Sequence, residues 1–305
     1  MAGLPFFIAY LVPASALLGL ALGGWWTLST VILVFLITPL LDAVIGLDTR
    51  NPSQEPAGLP PQRDPVFDVA LWMWLPIQVL VVGWGVWTVS ARTVTGWELV
   101  GITLSVGICS GAGAINVAHE LMHRRGRTEK ALGELLMTTT CYTHFCIEHV
   151  RGHHRNVATP IDPATARLGE TVFAFLPRTL AGSLASAWRL EGKRVAARGY
   201  GLLGLGDRRV RYPLLITGMV GALWIGAGVA GVAFFVAQSL VAVLLLEIIN
   251  YVEHYGLERR WLESGRYEGV TPQHSWNAAH RLTNWYLFNL QRHADHHDVA
   301  SRPYW

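Results

Sequence analysis

Runs of about twenty residues with almost no charge recur along this chain, and a helix of that length crosses a hydrocarbon core of ~30 Å. The first is PFFIAYLVPASALLGLAL at residues 5–22. Inside a bilayer the backbone polar groups must satisfy one another, so such runs fold as helices. A length of 305 residues would by itself suit two soluble domains. Composition decides otherwise: 51% of the residues are hydrophobic, only 15% are charged, and 13 are Trp. We read an all-α integral membrane protein, one membrane-embedded domain over residues 1–305, with six transmembrane helices at about 5–23, 27–47, 67–89, 96–118, 212–232 and 234–253. The N-terminus has no positive n-region and a second apolar run follows at once, which marks a first span rather than a cleaved signal peptide.

These spans pair into three hairpins with short far-side turns and long near-side connections. Of 24 Lys and Arg, only Arg92 lies in a far-side turn, and the other 23 fall on the near side. The positive-inside rule then places both termini and the polar bulk in the cytoplasm. That asymmetry also accounts for the basic cluster at Arg208, Arg209 and Arg211, so no nucleic-acid partner is expected. The Pro-rich stretch 48–65 reads as an ordered or semi-rigid loop. Residues 119–211 mix apolar and Arg-bearing positions, as helices lying partly beneath the bundle and partly on the membrane surface do. The three cysteines, Cys109, Cys141 and Cys146, form no C-x-x-C pair. This excludes a thiolate zinc ribbon, a rubredoxin-type iron centre and a disulfide framework.

Twelve histidines are present, and nine fall into tight groups on the near side. His119 and His123 stand in HELMH; His149, His153 and His154 in EHVRGHH; His254 in NYVEHYGL; His293, His296 and His297 in LQRHADHH. On an α-helix, residues four apart share a face. The pairs 119/123, 149/153 and 293/297 are therefore each expected to present two imidazoles to one point, with His296 joining the last pair. His154, about 100° round from His153 on an α-helix, is left to serve a second ion or to need a helix end. Ionisable groups at membrane depth are costly and mark functional sites. Nine imidazoles exceed what one tetrahedral zinc uses, and suit two ions with four or five nitrogens each. Imidazole alone admits Zn, Cu, Fe or Ni.

HELMH also matches the H-E-x-x-H zinc-protease helix, but a protease needs one metal and leaves seven of the clustered histidines without a task. Carboxylates adjoin every group: Glu120, Glu148, Glu253 and Asp295. We expect these, with Asp162 and Asn250, to receive the second N–H of the ligand imidazoles. Asp42, ending the second span, is a further candidate, with capping as the competing reading for Asp42 and Asp162. His144, His274 and His280 lack the tight spacing and are assigned ordinary hydrogen bonds.

Taken together, HELMHR, EHVRGHH, NYVEHYGL and LQRHADHH resemble the ordered boxes of the membrane-bound non-haem di-iron alkane 1-monooxygenases, with Arg124 where that family usually has Lys. HRNVATPIDPATARLGE (154–170) and QHSWN (273–277) are similar to it as well, so the likeness runs through the whole chain. The chain stops at SRPYW, where family members usually continue, and its scattered cysteines give it no fused rubredoxin.

The resemblance implies a six-helix protein of the bacterial inner membrane with two iron ions on the cytoplasmic side. The ligands would be His119, His123, His149, His153, His154, His254, His293, His296 and His297. It implies O2-dependent terminal hydroxylation of medium-chain n-alkanes to primary alcohols. Electrons would come from NAD(P)H through a reductase and a separate rubredoxin. The competing substrates are fatty acyl or alkyl-aromatic chains, handled by related membrane hydroxylases and desaturases. An alkane with one methyl at iron must extend between the spans. Phe35, two turns from Asp42 on an α-helix, is therefore read with it as lining the channel and stopping the alkane's far end.

Overall fold

The computed structural model describes residues 3–49, 65–199, 204–300 and 302–304. The stretch 48–65 thus lies largely outside the described residues. What is described is helical, and only two isolated β-bridges occur, Leu47 with His280 and Trp261 with Tyr267. Among the described residues, five helices are long and apolar enough to cross a membrane: α1 (Leu4–Leu22), α2 (Gly24–Ile45), α3 (Pro65–Ala91), α4 (Gly96–His123) and, after α5 to α7, α8 (Arg208–His254). Between them lie α5 (Arg127–Thr138), α6 (residues 145–156) and α7 (Val172–Ala197). Two short helices close the chain, α9 (Arg281–Tyr286) and α10 (His293–Asp298).

The break between the last two expected spans falls about five residues earlier than the sequence predicts. The sequence puts it near residue 233, but the chain is helical there, and two helices meet at Gly228, whose φ of 63° and ψ of −162° are non-helical. Such a conformation strains any residue with a Cβ, and glycine adopts it freely. Apolar side chains flank the break in exposed positions, Trp224, Ile225 and Val229 among them. At the far side Thr95 and Glu98 form a capping box at the start of α4. The same Glu98 accepts from the Gly24 N–H at 2.7 Å, which ties the α1–α2 turn to the α3–α4 turn. Trp25 and Trp97 pack there with ring centroids 4.9 Å apart, as interfacial aromatics do.

Small residues set how closely the spans approach. A Cβ on Gly107 would meet Val241, one on Gly111 the Ala242 backbone, and one on Gly113 the Trp74 ring. Membrane helices pack by such close contact because lipid offers no hydrophobic driving force between them. A buried polar network crosses this interface. Gln78 of α3 donates to Ser110 of α4 at 2.8 Å and to Thr139 at 3.2 Å. Ser110 donates to Gln238 of α8 at 2.7 Å, and Gln238 donates to the Thr139 carbonyl at 3.0 Å.

Three helices contain a wide π turn: Leu33–Ile37 in α2, Cys109–Ile115 in α4 and His149–His153 in α6. A π turn closes i→i+5 bonds and shifts the face on which every later side chain emerges. The last of the three decides how the histidines are shared out. The surface helix α7 buries Phe175, Thr179, Ser183, Ala187, Glu191 and Val195, one residue in four along a single face. Its Glu191 accepts from Arg194 at 2.8 Å and from Arg208 at 2.8 Å, joining the end of α7 to the start of α8.

Candidate metal centre

The lower ends of α4 and α8, the whole of α6 and the short helix α10 bring all nine clustered histidines together. They separate into two groups whose ring nitrogens each lie within 4.8 Å of one another. The first holds His119, His123, His149, His154 and His296, and the second His153, His254, His293 and His297. HELMH falls on the last turn of α4, because that helix continues to His123 instead of ending near residue 118.

Pairing within α6 differs from the α-helical expectation. His149 and His153 do not converge. His149 instead meets His154, Nε2 to Nε2 at 3.0 Å, while His153 faces His297 at 3.2 Å. The cause is the π turn, in which residues five apart stand over one another and the fourth swings away. Gly152 lets this turn close, since a Cβ there would collide with the Glu148 carboxylate. On α10, His293 and His297 do converge at 3.0 Å, as α-helical spacing requires. His296 does not join them. It crosses to His154 at 3.0 Å and so belongs to the five-histidine group. His254 completes the second group at 3.0 Å from His293, and His119 lies 2.6 Å from His149 in the first.

These distances bear on what the groups hold. In every pair the Nε2 atoms face one another, and a neutral imidazole has only one N–H to give. Mutual hydrogen bonding therefore cannot satisfy a closed cluster of five or four. Metal–nitrogen bonds of ~2.1 Å place neighbouring ligands about 3 Å apart, which is the spacing observed. Burial, followed by repulsion from neighbouring imidazoles, holds His149, His154, His293, His296 and His297 below the usual histidine pKa. They are thus neutral, with lone pairs available to an ion. Burial opposes charge on His153 too, but the Asp162 carboxylate at 2.8 Å from its Nδ1 more than offsets this and raises its pKa.

The expected oxygen partners divide. Asp162 grips His153 and is itself fixed by the Thr165 hydroxyl at 2.6 Å and the Ala164 N–H at 3.1 Å. Glu253 approaches His293 at 3.4 Å, but from the Nε2 side, where it offers an oxygen to the four-histidine group instead of orienting a ring. The remaining candidates bond elsewhere: Glu120 to Arg124, Glu148 to the His153 backbone, Asn250 to Glu247 and Asp295 to Arg302. For Asp42 the capping reading holds. It accepts from the Leu282 N–H at 2.7 Å and the Thr283 N–H at 3.1 Å at the start of α9. Phe35 is 56% exposed on the outer face of α2, because the π turn at Leu33–Ile37 separates its face from that of Asp42. The two residues therefore do not share a face, as an α-helical spacing of seven would require.

Some partners escaped the sequence reading. His254 Nδ1 lies 3.4 Å from both the His274 carbonyl and the Ser275 hydroxyl, in a loop far along the chain. Buried Glu247 accepts from Tyr142 at 2.7 Å and Thr179 at 2.8 Å, two turns from His254. A lone carboxylate in an apolar run was the signal that would have found it. A cavity of about 40 Å³ borders the five-histidine group, lined by His119, His296, Glu120, Asn116, Asp295 and Tyr304 among others.

Comparison with known proteins agrees with this geometry. The fatty acid desaturase family model matches residues 95–305, which carry every histidine box. Alkane 1-monooxygenase 1 of Pseudomonas aeruginosa is 43% identical over 284 residues, covering 92% of this chain and 74% of the relative. Alkane 1-monooxygenase 2 of the same organism is 38% identical over 300 residues, covering 95% and 80%. The hydroxylase component of the Pseudomonas putida xylene/toluene monooxygenase is 26% identical over 298 residues, covering 96% and 77%. With relatives of this identity and extent, the chain belongs to the alkane 1-monooxygenase family.

Proposed function

We propose that this protein hydroxylates the terminal methyl of medium-chain n-alkanes, yielding primary alcohols, at a centre of two iron ions. The observation that carries the reading is the pair of converged imidazole clusters, five and four, at one end of an apolar bundle. His119, His123, His149, His154 and His296 would hold one ion, and His153, His254, His293 and His297 the other. Zinc has no redox chemistry, whereas imidazole-bound iron does, and an unactivated C–H bond demands it. Bound iron would supply the activation of O2, with one oxygen atom entering the alkane and the other leaving as water.

The protein's own contribution is placement and exclusion. Asp162 fixes the ring of His153, Glu253 brings a carboxylate to the four-histidine group, and the surrounding side chains keep bulk water out. The small cavity beside His119 and His296 has room for a few water-sized molecules, each needing ~10–15 Å³, and so suits a diatomic gas. Electrons would arrive from NAD(P)H through a reductase and a separate rubredoxin, which the basic near-side surface would attract. Six spans, with both termini and the histidines at the cytoplasmic face of a bacterial inner membrane, follow if the break at Gly228 reverses α8. The 35–43% identity to alkane enzymes, against 26% to an aryl-methyl enzyme, favours alkanes over alkyl-aromatic substrates. The test is reconstitution of iron-loaded protein with reductase, rubredoxin, NADH and a panel of n-alkanes, fatty acyl chains and alkyl-aromatic compounds. Primary alcohols are expected, and product formation from fatty acyl or alkyl-aromatic chains alone would displace the reading.

A further inference from the structure

A second cavity, of about 230 Å³, lies beside the histidine-bearing helices α4 and α6. Lys130, Arg151, Arg194, Arg208 and Arg211 line it, with Glu134, over a floor that includes Met122, Cys146 and Val150. Two carboxylates answer these five cations. Glu191 takes Arg194 and Arg208, and Glu134 takes Arg211 at 2.7 Å. Lys130 and Arg151, both exposed, form no close ion pair among the described residues, although Glu191 is near enough to act on Arg151, so the cavity keeps an excess of positive charge. Like charges gathered in a concave, partly desolvated site are destabilising until an anion enters.

We propose that this cavity binds a phosphate group, with Arg151 and Lys130 as the unsatisfied donors. Guanidinium forks match phosphate oxygens in geometry and charge. A concave site of this volume fits a compact anion better than the broad face of a protein partner. Its place in the fold points to a membrane source. Arg208 opens the apolar helix α8, and exposed leucines lie close by in the chain: Leu135 and Leu205, next to the lining residues Glu134 and Gly206, and Leu214, three residues beyond Arg211. An anionic phospholipid, whose phosphate is not balanced by a choline, would set its headgroup among the cations and its chains along these leucines, as basic pockets beside membrane helices do.

The test is thermal unfolding of the iron-loaded protein in nanodiscs, titrated with inorganic phosphate. In phosphatidylcholine discs, phosphate should raise the Tm in a saturable, concentration-dependent way. Lys130→Gln with Arg151→Gln should weaken the midpoint of that response at least tenfold. Lys130→Gln alone, outside the histidine-bearing helix, should weaken it in the same direction and keeps the test informative if the double variant misfolds. Discs containing phosphatidylglycerol distinguish the sources. A response to phosphate that disappears there assigns the site to a lipid headgroup, and one that persists assigns it to free phosphate. The proposal is overturned if phosphate leaves the Tm unchanged in phosphatidylcholine discs, or if the variants respond as the unaltered protein does. It is equally overturned if the variants lose only their response to an acidic electron-donor protein, which would assign these cations to that partner.

Discussion

Asp162 shows how much of the site depends on single side chains beyond the imidazoles themselves. It is the one acidic candidate whose oxygen reaches a histidine Nδ1, and its own two partners leave it little freedom. Removing such a partner costs about 10–100-fold in metal affinity in comparable sites. Asp162→Asn should therefore lower the affinity of the four-histidine group by about that factor, measured by competition with a chelator, and leave the five-histidine group nearly unchanged. Equal loss from both groups would deny Asp162 a local role. Phe35 supplies the opposite case. Its ring faces outward, so Phe35→Ala should leave the product distribution across a mixed-length alkane panel unchanged. A shift towards longer alkanes would restore the gate that sequence reading assigned to it.

At the scale of the helix, pitch separates what could be read in the sequence from what could not. The pairs at 119/123 and 293/297 were legible because those segments keep the α-helical repeat. The split of His149 from His153 was not, because nothing in EHVRGHH announces a wide turn except Gly152, which is also compatible with an ordinary helix. The same limit displaced Phe35 from the face of Asp42. The apolar stretches of all six expected spans were legible from hydropathy, the last two falling within α8, but the bend at Gly228 could equally have fallen at several other glycines of α8. The partners of His254 come from a loop some twenty residues away, beyond the reach of any periodicity. The polar network across α3, α4 and α8 offers a test of packing at this scale. Gln78→Ala leaves Ser110 and Thr139 short of a partner in a dry interface. It should cost about 1–3 kcal/mol in stability, read as a lowered unfolding midpoint in detergent. No change would mean that the network carries no net stabilisation.

For the whole molecule, topology and metal content are the two claims that join fold to function. An impermeant thiol reagent in intact cells should label a cysteine placed at Thr93, in the turn that follows α3. One placed at Ser264 should be labelled only after permeabilisation. Both positions are exposed, and the three native cysteines are buried or partly buried. The reverse pattern would invert the protein in the membrane. Beneath this lies the central claim that nine histidines form two ion sites, one of five and one of four ligands. The most direct measurement is iron per chain by elemental analysis of anaerobically purified protein, alongside His154→Ala and His297→Ala. The account predicts about two irons in the unaltered protein, with each substitution depleting chiefly the group to which its histidine belongs. A fully loaded protein holding a single zinc, or two variants that empty the same one site, would contradict it.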